Sequence, residues 1–206
     1  MEASEVPRDE VPRRFGSVLS AVAWAYETAS KSTHQQPALV PTKRGKGGSP
    51  PEDFQDLAYS VLAHLAAISE PSISGMAEAG GMVRAMAADP DTRSRNMIGL
   101  CYYLSQTVPS WPADMSQQER RGMAMVAILR MADELERPDE PDSNRRPPKR
   151  AYAEVVDVPA QSISQRGRWQ QVVGDLENAV RVIRDRGFNS LRLRLQMAGI
   201  VYGDQE

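Results

Sequence analysis

The sequence predicts an all-α protein with a single helical core domain. Apolar residues recur at helical spacing in several long segments, which is the pattern of amphipathic helices. Ala, Leu and ten Met residues favour helices, whereas aromatic residues make up only 6% of the chain. A length of 206 residues favours one domain over two.

Two regions are expected along the chain. Residues 1–50 are predicted to form a flexible N-terminal arm, because they are polar and rich in Pro and Gly. One short amphipathic helix, from Phe15 to about Ser30, is expected within this arm. Residues 51–206 are predicted to form the helical core domain.

The core helices follow from apolar spacing and capping residues. The first begins at Ser49–Glu52, where Ser caps the helix and Pro occupies its first turn. Ser116 and Glu119 have the spacing of a capping box. The remaining helices are predicted at 76–88, from 92 or 94 to about 108, at 115–137, at 169–183 and at 188–199. A strand is the alternative over residues 191–195, because Leu and Arg alternate strictly there.

Residues 138–150 are predicted to form an exposed loop. The segment holds four prolines, blocks of charge and no apolar side chain, so it lacks the composition of a core element. Too little chain follows it for an independent globule. The loop therefore lies within the core domain and does not divide the chain into two domains.

Composition excludes several kinds of site. Net charge is −2, so any site for a polyanion must be a local cluster of cations. The single cysteine, Cys101, rules out an internal disulfide and a cysteine-based zinc cluster, and it lies on an apolar stripe where a buried thiol is expected. With two histidines and no catalytic motif, we expect no metal site, no cofactor and no catalysed reaction.

No secretory or membrane segment is predicted. The N-terminus is acidic and contains prolines where a signal peptide would need an apolar run. No apolar stretch approaches the roughly 20 residues that span a bilayer. The sequence therefore indicates a soluble protein of the cytosol or nucleus.

The strongest candidate site is a pair of arginines at the start of the helix that begins at 92 or 94. Arg93 and Arg95 flank Ser94, where the helix dipole favours anions and disfavours cations. A bound phosphate would reverse this penalty. The alternative is that Asp89 and Asp91 pair with the two arginines at the surface.

A second pair of cations occupies the first turn of the following helix. Arg120 and Arg121 could likewise face a phosphate, although a solvated helix face is the alternative. Later in the same helix, Arg130 is predicted to pair with Asp133 and Glu134, either on the helix surface or in a contact between subunits.

The order of these elements resembles the core of coat proteins from flexuous filamentous plant RNA viruses. An apolar helix at 57–65 and an Ala/Met helix precede the Arg-x-Arg of 93–95, the apolar run 100–104 and a Val-Pro-Ser-Trp exit at 108–111. The run at 179–190 is similar to a late helix and turn of those coats. The resemblance spans roughly residues 54–200 and contains no motif specific to the family.

The resemblance implies a structural coat or nucleocapsid protein. Such a protein binds single-stranded RNA, polymerises with copies of itself into a helical filament, and is found in the virion and the host cytoplasm. It takes no small-molecule substrate and does not enter a membrane. Arg95 best matches the RNA-contacting arginine of the family and Arg93 is second, with Asp133 as the acidic partner. The full predicted RNA-binding set is Arg93, Ser94, Arg95, Arg120 and Arg121.

The resemblance also implies that the N-terminal arm joins subunits. The expected anchor residues of this inter-subunit arm are Phe15, Val18, Leu19, Val22 and Trp24. A different class of function remains open, namely a helical protein–protein adaptor, or a matrix-like or regulatory protein, that binds no nucleic acid. Its Met-rich surfaces and the loop at 138–150 would bind partners.

Overall fold

The computed structural model describes residues 15–33, 52–69, 76–87, 90–164 and 167–201. Within these ranges the protein is all-α, as predicted, and eight helices pack together around two adjoining hydrophobic cores. A short 3₁₀ turn at Asp142–Asn144 interrupts the loop after the fifth helix. The helices are α1 (Val18–Thr33), α2 (Glu52–Ile68), α3 (Met76–Ala87), α4 (Pro90–Thr107), α5 (Gln117–Glu136), α6 (Arg150–Val155), α7 (Ala160–Ser164) and α8 (Arg168–Met197).

Helix α8 is the central element, because it packs against α1, α2, α3, α4, α5 and α7. Its N-terminal half contributes Val172, Leu176 and Val180 to a core shared with α3 to α7. Its C-terminal half contributes Leu191 and Leu195 to a second core shared with α1, α2 and α3. The long helix therefore joins the two cores.

The prediction that α8 ends near residue 185 and is followed by a second element is wrong. One helix runs without interruption through the expected break, and Gly187 lies buried within it. A Cβ at this position would overlap the backbone carbonyl of Ala79. The glycine therefore lets α3 approach α8 closely instead of ending the helix.

The strand alternative over residues 191–195 is also wrong. Leu191 and Leu195 are completely buried, while Leu193 between them is 62% exposed. Buried positions four residues apart, with the middle position exposed, fit a helix, whereas a strand would place all three leucines on one face. The alternating arginines lie on the solvent side of the helix.

Helices α4 and α5 form an antiparallel pair. The side chains of Gln106 and Gln117 are hydrogen-bonded at 3.1 Å, where α4 ends and α5 begins. The predicted capping box is confirmed. The backbone N–H of Glu119 donates to the Ser116 hydroxyl at 3.2 Å, and the Glu119 carboxylate accepts from the backbone N–H of Ser116 at 2.7 Å. The hydrogen bond from Ser116 holds the pKa of Glu119 below its ordinary value.

The expected inter-subunit anchor residues pack within their own chain, which corrects their predicted role. The amphipathic helix is α1, with Val18 and Val22 buried in the second core and Leu19 partly buried against it. The backbone N–H of Phe15 donates to the Ile200 carbonyl at 3.0 Å, and its ring lies 5.1 Å from that of Trp24. The apolar face that predicted an external anchor is covered by α2 and α8 instead. The other parts of the predicted arm, 1–14 and 34–50, lie outside the described residues.

The segment at 138–150 has the exposure expected of a loop at most of its positions. Two short helices, α6 and α7, follow it and were not predicted from the sequence.

Cys101 is buried as predicted, and burial raises the pKa of its thiol to about 11. Among the helices of the described ranges, none is long and apolar enough to cross a membrane.

Candidate nucleic-acid interface

A continuous stripe of exposed side chains runs along the outer face of α4. Arg95, Ile98, Tyr102 and Gln106 follow one another at intervals of three or four residues and are all exposed. This spacing puts them on one side of the helix, while Met97, Leu100, Cys101 and Leu104 on the other side are buried. Arg95 and Tyr102 are separated by about 10 Å along the helix axis.

The start of this stripe opens into a groove between α3 and α4. The groove encloses about 250 Å³, and the side chains of Arg84 and Arg95 line it from opposite helices. Glu78 is the one carboxylate among its lining residues, which also include Gly81 and Gly99. The lining therefore carries two cations and one anion.

Both groove arginines are available to an external ligand. Neither Arg84 nor Arg95 forms an ion pair or hydrogen bond with another described residue. An arginine without a protein partner keeps its fork of N–H donors for a planar or tetrahedral anion. The groove can therefore bind the phosphate of a larger ligand that runs across the surface.

The second part of the stripe joins an aromatic ring to a cation. Tyr102 is 56% exposed, and the guanidinium of Arg121 on α5 lies 5.1 Å from the centre of its ring. Ile98 and Met125, one turn away on the two helices, are 69% and 44% exposed. The guanidinium lies over one face of the Tyr102 ring, so an unpaired base would stack on the other face of the ring or on the guanidinium plane itself.

The structure separates the arginines that the sequence grouped together. Arg95 and Arg121 are exposed on the outer face, but Arg93 is directed towards the end of α5, where Nη2 lies 3.7 Å from the Glu136 carboxylate. Arg120 donates from Nη2 to the backbone carbonyl of Pro112 at 3.0 Å. Arg93 and Arg120 therefore each have one protein partner, although the Nε atom of both is buried without a hydrogen bond.

Ser94 is exposed next to Arg95 on α4. Asp89 and the side chain of Asp91, the alternative partners of the arginine pair, lie outside the described residues.

Asp133 is not the acidic partner of the α4 arginines, which corrects the prediction. Its carboxylate pairs with Arg137 one turn later in the chain and accepts a hydrogen bond from the backbone N–H of Arg146 at 3.0 Å. The hydrogen bond from Arg137 lowers the pKa of Asp133, and the backbone N–H of Arg146 contributes a smaller lowering. Asp133 therefore anchors the 138–150 loop to α5.

Arg130 is not a surface ion-pair residue, although the sequence predicted a surface or inter-subunit pair with Asp133 and Glu134. Its side chain is only 4% exposed. Nε donates to Glu177 at 3.3 Å, Nη1 donates to the Pro147 carbonyl at 2.8 Å, and Nη2 pairs with Asp142. The guanidinium thus links α5, α8 and the loop.

Sequence reasoning missed two contributors to the interface. Arg84 is the single cation of α3, and a lone cation on an otherwise Ala- and Met-rich helix was the available signal. Tyr102 lies seven residues after Arg95, a spacing that repeats the same helix face. The pairing of Tyr102 with Arg121 depends on the alignment of α4 with α5, and that alignment has no local sequence signal.

Within the described ranges, no three His, Cys, Asp or Glu side chains are grouped so that they could hold a metal ion. Comparison with protein-family models, with curated proteins and with solved structures finds no match to this chain.

Proposed function

We propose that this protein is a structural coat or nucleocapsid protein that binds single-stranded RNA on the outer face of α3, α4 and α5. The observation that carries the proposal is the groove that Arg84 and Arg95 both line without partners among the described residues, near the exposed Tyr102 and its neighbour Arg121. This arrangement offers phosphate contacts and a stacking surface on one face. The protein acts by binding and catalyses no reaction.

A single-stranded ligand suits this face better than a duplex. Bases in a single strand are unpaired, so their flat faces can stack on an exposed ring. Stacking of this kind contributes about 1–3 kcal/mol per base and does not depend on which base is present. Tyr102 therefore predicts binding that is indifferent to sequence. The resemblance to flexuous filament coats in the order of elements over residues 57–111 supports RNA as the strand, and the virion in the host cytoplasm as its location. The run at 179–190 lends no support, because it lies inside α8 and forms no turn.

The net charge of −2 is compatible with this function because the cations are concentrated locally. Arg84, Arg95 and Arg121 could each contact one phosphate, so a single subunit would bind RNA weakly. Copies that polymerise along one strand bind cooperatively, because each bound copy raises the effective concentration of the next site. Affinity is thus a property of the polymer.

Salt-dependent binding of a labelled oligouridylate, followed by fluorescence anisotropy, tests the proposal. Three phosphate contacts predict that the logarithm of the affinity falls with the logarithm of salt concentration with a slope of about −2. Negative-stain microscopy of the same mixture should show filaments. A monomer that binds no RNA at about 50 mM salt and forms no filaments would exclude the proposed function.

A protein-binding adaptor is the second candidate, and a separate apolar groove favours it. The groove lies between α2 and α8, encloses about 680 Å³, and is lined by His64, Ile68, Leu193 and Met197, among others. Leu193 and Met197 are 62% and 89% exposed. The ratio of absorbance at 260 nm to that at 280 nm separates the candidates, because an adaptor purifies without nucleic acid.

A further inference from the structure

A second cationic site lies on the other side of α5, where Arg130 faces α8 and the proline-rich loop. The side chains enclose a cavity of about 320 Å³, at the small end of the range for ligand pockets. Its charged lining comprises four cations, Arg130, Arg145, Lys149 and Arg181, and three carboxylates, Glu134, Asp142 and Glu177. This set excludes Arg84, Arg95 and Arg121 of the proposed RNA face.

Asp142 occupies the centre of this charge cluster. One carboxylate oxygen pairs with Nη2 of Arg130 and lies 3.6 Å from Nε of Arg145, and the other lies 3.0 Å from Nζ of Lys149. Burial opposes ionisation of Asp142, but the hydrogen bond from Lys149 and the charges of Arg130 and Arg145 outweigh it and lower its pKa. Three cations thus surround one carboxylate.

The Asp142 carboxylate is attached only through an exposed loop. Its side chain is 52% exposed, and residues 141–144 around it are all exposed. The other two carboxylates are fixed on long helices, Glu134 on α5 and Glu177 on α8. Glu177 also accepts a hydrogen bond at 3.0 Å from the buried hydroxyl of Tyr152. Asp142 is therefore the carboxylate that a movement of residues 141–144 could withdraw, with Arg145 and Lys149 left in the cavity wall.

Two of the four lining cations, Arg145 and Arg181, keep donors that no hydrogen bond uses. Nε and Nη1 of Arg145 are buried and make no hydrogen bond of good geometry, although Nη1 lies 2.7 Å from Glu134. Arg181 lines the cavity and has neither an ion pair nor a hydrogen bond with any residue of the described ranges. Arginine forks match the oxygens of a phosphate group in pairs.

We propose that this cavity is a binding site for a phosphate group, and that the Asp142 carboxylate is a tethered occupant which the phosphate displaces. Withdrawal of Asp142 leaves four cations against two carboxylates, a surplus of two positive charges. A phosphate monoester carries a charge of about −1.5 to −2 at pH 7, which matches this surplus. Binding of phosphate releases the Asp142 side chain from Arg130, while the Arg130–Pro147 and Asp133–Arg146 hydrogen bonds keep the later part of the loop on α5. The ligand is thereby coupled to the position of residues 141–144.

Isothermal titration calorimetry with inorganic phosphate, at constant ionic strength set with chloride, tests the proposal. The variant Asp142→Asn removes the competing charge and keeps the shape, so its affinity for phosphate should exceed that of the unmodified protein by tenfold or more. Titration with glycerol phosphate distinguishes the source of the group. Binding of both ligands indicates a phosphomonoester site, whereas binding of inorganic phosphate alone restricts it to the free ion.

A matched pair of variants on α8 locates the site. Arg181→Ala should lower the phosphate affinity of the Asp142→Asn protein at least tenfold. Arg186→Ala removes an exposed arginine of the same helix that does not line the cavity and should leave the affinity unchanged. Equal phosphate affinity of the unmodified protein and the Asp142→Asn variant, or equal effects of the two arginine variants, would overturn the proposal.

A further comparison keeps the proposal testable if Asp142→Asn fails to fold. Phosphate should raise the melting temperature of the unmodified protein but not that of the Arg181→Ala variant. The same increase in both proteins would place the bound anion elsewhere and refute the assignment. Neither experiment contains RNA, so the result is independent of the proposed coat function.

Discussion

Replacement of Arg95 by alanine is the perturbation that most directly separates the two arginines at the start of α4. Arg95 lines the α3/α4 groove without a partner in the described part of the chain, while Arg93 lies 3.7 Å from Glu136. If Arg95 contacts a phosphate, its removal should change both the affinity for RNA and the salt dependence of binding. The fold should be retained, because Arg95 is exposed.

The size of the effect follows from counterion release. Each phosphate contact to a single strand contributes about 0.7 to the slope of log affinity against log salt, so Arg95→Ala should reduce a slope of about −2 to about −1.4. The same term corresponds to roughly a fivefold loss of affinity at about 0.1 M salt. A second replacement, Arg84→Ala, should remove a similar increment again.

Fluorescence anisotropy of a labelled oligouridylate at several salt concentrations measures both quantities. Arg93→Ala is the matched control on the same helix, since Arg93 is already paired, and its slope should stay near that of the unmodified protein. If Arg93→Ala reduces the slope and Arg95→Ala does not, the assignment of the groove as the RNA contact is wrong.

Three further predictions concern stability, measured by denaturant unfolding. Gly187→Ala should destabilise the protein by about 1–3 kcal/mol, because the added Cβ would overlap the backbone of α3. The control Gly174→Ala, in the same helix, adds a Cβ in open space and should stabilise the protein by up to about 1 kcal/mol. Equal effects of the two variants would contradict the close packing of α3 on α8. Arg130→Met should destabilise the protein by somewhat less than the roughly 3–5 kcal/mol of a fully buried ion pair, because the carboxylate partners of Arg130 are partly solvated. Adding Glu177→Gln to this variant should recover part of the lost stability, and no recovery would refute the pairing. The pKa of Asp142 is lower in the folded chain than in the unfolded chain, so its carboxylate stabilises the fold above about pH 4 and this stabilisation is lost as the pH falls through the folded pKa. Asp142→Asn should therefore reduce the loss of stability at acid pH. An unchanged acid dependence would contradict this role of Asp142.

Local sequence pattern was sufficient for most of the helices. The capping box at Ser116 and Glu119 marks the start of α5, and apolar spacing marks the inward faces of α2 and α5, because both features act within a few residues. The predicted end of α8 near residue 185 is wrong because of a tertiary contact. Gly187 reads as a helix terminator in isolation, and only the position of α3 explains why a glycine is required inside the helix.

The predicted arm shows the same limitation. An amphipathic helix is recognisable from its apolar face, but the surface that covers the face cannot be deduced from the helix itself. Val18 and Val22 are covered by their own chain, so the pattern predicted the helix and not its partner.

The candidate sites differ in how far apart their residues lie in the sequence, and this separation decides whether they could be predicted. Arg95 was identified because the cost of a cation at a helix start is local. The partners of Arg130, by contrast, lie 12, 17 and 47 residues away in the chain, so no spacing rule connects them. The loss of Asp133 as partner of the α4 arginines has a simple origin, since Arg137 is one helical turn away and forms the pair locally.

The most direct test of the proposed function is cryo-electron microscopy of the purified protein mixed with single-stranded RNA. We expect helical filaments in which RNA density follows the groove between α3 and α4 and contacts Arg84, Arg95 and Tyr102. Filaments with RNA on another face would contradict the assigned interface. Particles without RNA would contradict the coat function itself.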